Sequence, residues 1–129
     1  MAGLPYGPLV LDHYLHPRNV GSLDPADARV GSALVGSPVL GEVLKLQIFL
    51  QDGTITQARF RAFGGGSAIA AGSWLTEQLQ GQSLNHALGI RSQDIMSALN
   101  LPPVKMHSAL LAEDAIRAAV ADYTQKHSQ

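Results

Sequence analysis

Residues 44–63 read LKLQIFLQDGTITQARFRAF, and the fold follows from this stretch. Leu44, Leu46, Ile48 and Leu50 alternate with Lys45, Gln47, Phe49 and Gln51, the period of a strand with one buried face. Asp52-Gly53 then offers two residues that tolerate positive φ, which predicts a tight hairpin. The return strand runs from Ile55 to Phe63, with Ala58, Phe60 and Ala62 on one face and Gln57, Arg59 and Arg61 on the other. An antiparallel sheet with one face in water is expected, and its apolar face needs helices to cover it.

Upstream, GSALVGSPVLG (residues 31–41) predicts a short edge strand, because Gly36 and Pro38 are poorly suited to a central one. Before it, Leu9 to Leu15 reads as a short helix, ended by His16-Pro17-Arg18-Asn19. Downstream, Gly64-Gly65-Gly66-Ser67 predicts a turn with Ser67 as helix cap, and Ala68, Ala71, Leu75 and Leu79 recur at helical spacing until Gly81. Ser83 and Ser92 are candidate caps for two further short helices. The second carries Ile95, Met96 and Leu99 and stops at Leu101-Pro102-Pro103, where an extended, exposed connector is expected. The last helix runs from about His107 to Lys126, with Ala112, Ile116, Ala119, Val120 and Tyr123 on one face. Glu113 with Arg117, and Asp122 with Lys126, are spaced for ion pairs on its wet side.

Strands followed by helices in blocks predict an α+β fold: a small antiparallel sheet of about three strands covered by helices, with a long C-terminal helix. At 129 residues and 46% hydrophobic content, the chain suits one domain over 1–129 with one core. The formal net charge of −1 and the scattered Lys and Arg argue against nucleic acid. Met1 to Val10 has no positively charged start, holds Pro5 and Pro8 and lacks a long apolar run, so no secretory signal is expected. No stretch approaches the roughly 20 apolar residues of a membrane span, and the expected location is cytoplasmic. There is no cysteine, which removes disulfides, thiolate metal sites and thiol nucleophiles together.

Few residues carry chemistry on their own. GGGSAIAAGS at the helix start resembles an anion site only weakly, because no lysine lies near Ser67; a turn and cap is the simpler reading, and a small-molecule domain rests on nothing else. The histidines at 13, 16, 86, 107 and 127 form no ligand-like pair at helical or zinc-finger spacing. No serine sits in a nucleophile elbow, and no enzymatic activity is expected.

Whole phrases, however, resemble the NifU/IscU family of iron-sulfur cluster scaffold proteins. They are VLDHY (10–14), PRNVG (17–21), VLKLQI (43–48), GSAIA (66–70), LPPVK (101–105) and LAEDAI (111–116), and the resemblance spans Tyr6 to Tyr123. It implies that three cysteines and an aspartate, on loops meeting at one end of the molecule, hold a nascent cluster supplied with sulfur by a cysteine desulfurase. Here the cysteine positions fall on Leu40, Gly65 and Ser108, and the aspartate falls on Glu42; His107 matches the family's histidine. Leucine and glycine offer no ligand atom, and clusters are held by thiolates. Leu40 also places an apolar side chain where a ligand is implied, which should plug the pocket. Leu, Gly and Ser at these positions read as drift in a natural paralogue.

Glu42 and His107, with help from Lys105 or Ser108, fall short of a four-ligand structural zinc site. No cofactor is therefore expected, a weak zinc or iron site completed by water being the most these residues offer. The LPPVK phrase resembles the segment that family scaffolds offer to an Hsp70-type chaperone. Its prolines stiffen an extended peptide, Leu101 and Val104 supply apolar anchors, and Lys105 supplies charge beside Pro102 and Pro103. The leading expectation is a non-catalytic scaffold homologue that binds and regulates partners of iron-sulfur assembly, the desulfurase and the chaperone. The alternative is a metal-binding scaffold or carrier that uses Glu42 and His107 with ligands from a partner.

Overall fold

The computed structural model describes residues 7–128. The elements in chain order are α1 (Pro8–Leu15), β1 (Val30–Ser37), β2 (Glu42–Gln51), β3 (Thr54–Phe63), α2 (Gly66–Leu79), α3 (Leu84–Leu88), α4 (Ser92–Leu99) and α5 (Met106–Lys126). Short 3-10 turns occupy Pro38–Leu40 and Pro103–Lys105. The strands form an antiparallel sheet in the order β1-β2-β3. This is the α+β architecture expected, with β1 as an edge strand. Of the Met1 to Val10 reading, residues 1–6 lie outside the described residues.

The hairpin forms where Asp52-Gly53 predicts it: φ is 52° at Asp52 and 78° at Gly53, the paired left-handed values of a two-residue turn matched to strand twist. Its alternation sets the register, pairing Leu46 with Phe60 and Ile48 with Ala58. Leu44, Leu46, Ile48, Ala58 and Phe60 are buried with Ala70, Ala71, Leu75 and Leu79 of α2 and Ala112, Ile116 and Ala119 of α5. Gly72 lets α2 lie close on β3, since a Cβ there would come within 2.5 Å of the Phe60 ring. The opposite edge of β3 is protected by residues 19–21: Phe60 N donates to Asn19 O and Gly21 N donates to Phe60 O.

Several polar residues lie elsewhere than their spacing predicts. Gln47 belongs to the outer face by alternation but is 1% exposed, because the chain leading into β1 crosses it; Leu23 N donates to its Oε1, and its Nε2 donates to Ser32 Oγ. Ser67 is not the α2 cap. Gly65 takes that place, and the Ser67 hydroxyl is buried inside the first turn. Ser83 does cap α3. Ser92 does not cap α4, whose cap is Arg91 with its N–H held by Asp94, while Ser92 N donates to Glu113 Oε1.

That bond explains a further departure. Both i,i+4 pairs of α5 form, at 2.9 Å for Arg117–Glu113 and 3.2 Å for Lys126–Asp122, yet neither is simply on the wet side. Glu113 is buried, with its carboxyl held below the ordinary range by the Ser92 N–H, followed by Arg117 and Arg91. Asp122 accepts from Ser32 N, stitching α5 to β1.

Candidate functional site

Three chain turns meet at one end of the sheet. In the first, Ser37 Oγ accepts from Val39 N, Pro38 starts the 3-10 turn, and Gly41 ends it with φ of 84°. The second, between β3 and α2, contains Gly64 and Gly65. Gly64 has φ of 144°, and a Cβ there would stand 2.8 Å from Glu42 Cγ, so only glycine lets the loop pass the carboxylate. The third is the start of α5 at Met106–Ser108.

Glu42, His107 and Ser108 are brought together there. The Ser108 hydroxyl donates to Glu42 Oε1 at 2.8 Å, and His107 Nε2 contacts Glu42 Oε2 at ion-pair range. Ser67 Oγ lies 2.8 Å from Ser108 Oγ. A carboxylate only accepts, so the Ser108 proton points to Glu42 and Ser67 donates to Ser108. The polar atoms thus form a closed chain running Ser67, Ser108, Glu42, His107. Ser108 is 1% exposed and His107 59%, so the chain leads from the interior to the surface. Glu42 and His107 also line a pocket with Gly36, Ser37 and Leu111.

The Ser108 hydroxyl donates to a carboxylate but is buried, so it is held as part of the packing and is not presented to a substrate. Glu42 and His107 supply two metal-capable side chains, and no group of three His, Cys, Asp or Glu suited to a metal exists among the described residues. Gly65 is exposed, with φ of −76° and ψ of 178° and nothing within 4 Å of an added Cβ; it has neither a steric nor a conformational need to be glycine. Leu40 closes the Pro38–Leu40 turn, but its side chain lies outside the described residues, as does the expected plugging of the pocket.

The LPPVK segment differs from an extended, exposed peptide. Leu101 is 7% exposed and belongs to the core, with its N–H donated to Met96 O. Pro103–Lys105 is a 3-10 turn, closed by Lys105 N donating to Pro102 O at 2.8 Å, while Val104 is 75% exposed. Pro102 keeps the extended dihedrals favoured before a proline, with φ of −68° and ψ of 152°, and Pro103 then opens the turn that leads into α5, while Leu101 gains by burial in the core.

Sequence reading missed a second polar constellation, between α1 and α2. His13, 2% exposed, has Nδ1 2.7 Å from Ser73 Oγ and Nε2 3.5 Å from Glu77 Oε1. Ser73 also accepts from Arg18 N, and Arg18 pairs with Asp12 at 2.7 Å. Val10 and His13 share the buried stripe of α1, and that spacing of three was the available signal. Ser73 is fully buried, so the cluster fastens α1 to α2.

Comparison with known proteins adds the following. The NifU-like N-terminal domain family matches residues 5–129. The chain is 54% identical over 122 residues to the "Iron-sulfur cluster assembly scaffold protein IscU" of Escherichia coli (strain K12), covering 94% of this chain and 95% of that protein. It is 50% identical over 125 residues to the "Iron sulfur cluster assembly protein 2, mitochondrial" of Saccharomyces cerevisiae, covering 95% and 80%. A solved NifU-like N-terminal structure from Brucella abortus superposes with a TM-score of 0.67 at 15% identity, over 97% of this chain and 96% of that one. No helix among the described residues is long and apolar enough to cross a membrane.

Proposed function

This chain belongs to the NifU-like N-terminal domain family, and from that premise we propose that it serves iron-sulfur cluster assembly as a scaffold homologue that binds protein partners without itself retaining a cluster. The observation that carries this reading is the donor set at the meeting of the three loops. Positions 40, 65 and 108 hold leucine, glycine and serine, and clusters need thiolates, so the residues present do not fit a cluster. The polar groups that remain satisfy one another: Glu42 accepts from Ser108 and contacts His107.

The partners proposed are the cysteine desulfurase and the Hsp70-type chaperone of the assembly machinery, and the role is regulatory: the chain competes with or adapts a cluster-bearing scaffold. Val104 and Pro103 support chaperone recognition by being exposed on a stiff turn, while Leu101 becomes available only if the turn opens. The test is calorimetric titration of the purified chain with each protein at concentrations on the order of tens of micromolar, alongside reconstitution with iron and sulfide. Binding to either protein with no visible-range cluster absorbance is expected. Absence of binding to both, or a cluster retained by the chain alone, overturns the reading.

The Glu42–His107 contact supports a second reading, a metal carrier completed by a partner's ligands. Metal content of the wild type, Glu42→Ala and His107→Ala, each with the desulfurase present, separates the two. Equal content in all three excludes the carrier.

A further inference from the structure

The chain spreads its cations along the sequence, but folding collects three of them on the outer face of the sheet. In the antiparallel register Lys45 of β2 stands directly opposite Arg61 of β3, and Gln47 stands opposite Arg59. Like charges directly opposite each other destabilise a strand pair. Neither Lys45 nor Arg61 has a carboxylate in ion-pair range among the described residues; both side chains donate to the single hydroxyl of Ser22, at 3.1 and 3.3 Å. Arg59 is likewise served by neutral acceptors, Ala58 O and Asn19 Oδ1. Elsewhere the arginines find carboxylates, as Arg18 does with Asp12 and Arg29 with Asp27.

Beside these cations the same face exposes large apolar side chains. Leu34 is paired with Lys45 across the other edge and is 71% exposed; Phe63, opposite Val43, is 79% exposed; Val39, in the adjoining turn, is 93% exposed. Leu34, Pro38, Val43, Lys45, Arg61 and Phe63 line one groove. We propose that this outer face, centred on Lys45, Arg61, Leu34 and Phe63, docks an acidic protein segment that also carries apolar side chains. A carboxylate between Lys45 and Arg61 removes their repulsion, and apolar side chains of the same segment cover Leu34 and Phe63. Such a contact is charge-complementary and hydrophobic together, the composition of an interface core with a polar rim. Single-stranded nucleic acid fits less well, because Phe63 stands among aliphatic neighbours and, among the described residues, no second exposed ring completes a stacking platform there.

This surface adjoins the Glu42–His107 end through the Pro38–Leu40 turn but uses none of Glu42, His107 or Ser108, so its test is independent of the function proposed above. The test is fluorescence anisotropy with a labelled peptide alternating glutamate with leucine and tryptophan, a lysine-for-glutamate control peptide and an oligouridylate, combined with amide chemical-shift mapping. Lys45→Gln/Arg61→Gln and Phe63→Ser are the variants, and thermal melts check their folding; the double variant should melt no lower than wild type. The acidic peptide should bind with shifts centred on residues 34, 45, 61 and 63. The double variant should weaken that binding about tenfold, and added salt should weaken it in the wild type. Unchanged affinity in the folded double variant, shifts confined to other faces, or no binding by the acidic peptide would overturn the proposal. Tighter binding of oligouridylate than of the acidic peptide would also overturn it, by assigning the face to nucleic acid.

Discussion

The Ser108 hydroxyl donates to Glu42 Oε1 at 2.8 Å across 66 residues of chain, so a serine at a position that the resemblance aligns with a thiolate fastens α5 to the start of β2. A carboxylate that the resemblance places at a cluster site has become part of the structural frame. Ser108→Ala leaves both Ser67 and Glu42 short of a buried partner and should destabilise the chain by about 1–3 kcal/mol. Urea denaturation checks this, and a midpoint equal to wild type would show that the hydroxyl chain contributes nothing.

Supplying thiolates should create a metal site, because the chain has no cysteine while the three turns converge. Gly65 has non-glycine dihedrals and open space for a side chain, and Ser108 is close in size to cysteine. The triple variant Leu40→Cys/Gly65→Cys/Ser108→Cys should retain about one zinc per chain after desalting, and zinc should raise its melting temperature. Metal content no higher than wild type would mean that the loops no longer hold a ligating geometry.

His13 should make stability pH-dependent. Burial, followed by repulsion from Arg18, lowers its imidazole below the ordinary 6.5, while Glu77 and Asp12 pull the other way. The unfolded chain therefore takes up this proton first as the pH falls. The contribution is complete above 6.5 and declines as the pH drops from 6.5 toward the lowered folded value. Urea midpoints across that window should fall in the wild type and flatten in His13→Gln, which keeps a polar group toward Ser73. Identical slopes in both proteins would place the titration on another group.

The two apolar residues of LPPVK should behave oppositely. Leu101→Ala removes a core side chain and should cost about 2–4 kcal/mol. Val104→Ala, at a position 75% exposed, should change stability by no more than about 0.5 kcal/mol. If the turn is read by a chaperone in its folded form, only Val104→Ala weakens binding without lowering the urea midpoint. If the turn must open first, Leu101→Ala strengthens apparent binding by making opening easier.

The architecture was legible because it is written in local periodicities. Alternation from Leu44 to Leu50 and from Ala58 to Ala62, a turn that needs positive φ at Asp52-Gly53, and the helical spacing of Ala112, Ile116 and Ala119 each specify an element within a few residues. The absence of any thiolate ligand was equally legible, since the chain has no cysteine and no fold can supply a sulfur ligand that the chain lacks. The juxtaposition of positions 42, 107 and 108 came from family resemblance, because nothing local marks Glu42 and Ser108 as neighbours.

What only the tertiary structure decided is where polar groups go when distant segments cover them. Ser67 and Ser92 both look like helix caps, but Ser67 turns inward to Ser108 and the Ser92 N–H turns to Glu113, each toward a partner supplied by α5. Leu101 enters the core despite its prolines, and Lys45 and Arg61, sixteen positions apart in sequence, come to face each other across a strand pair. By itself the sequence determined the elements and the missing donors, because backbone preference and hydrophobic period act over a few residues. Burial and charge pairing depend on contacts between segments far apart in the chain, so the closed Glu42 network and the basic, apolar sheet face emerge only once the helices and strands have packed.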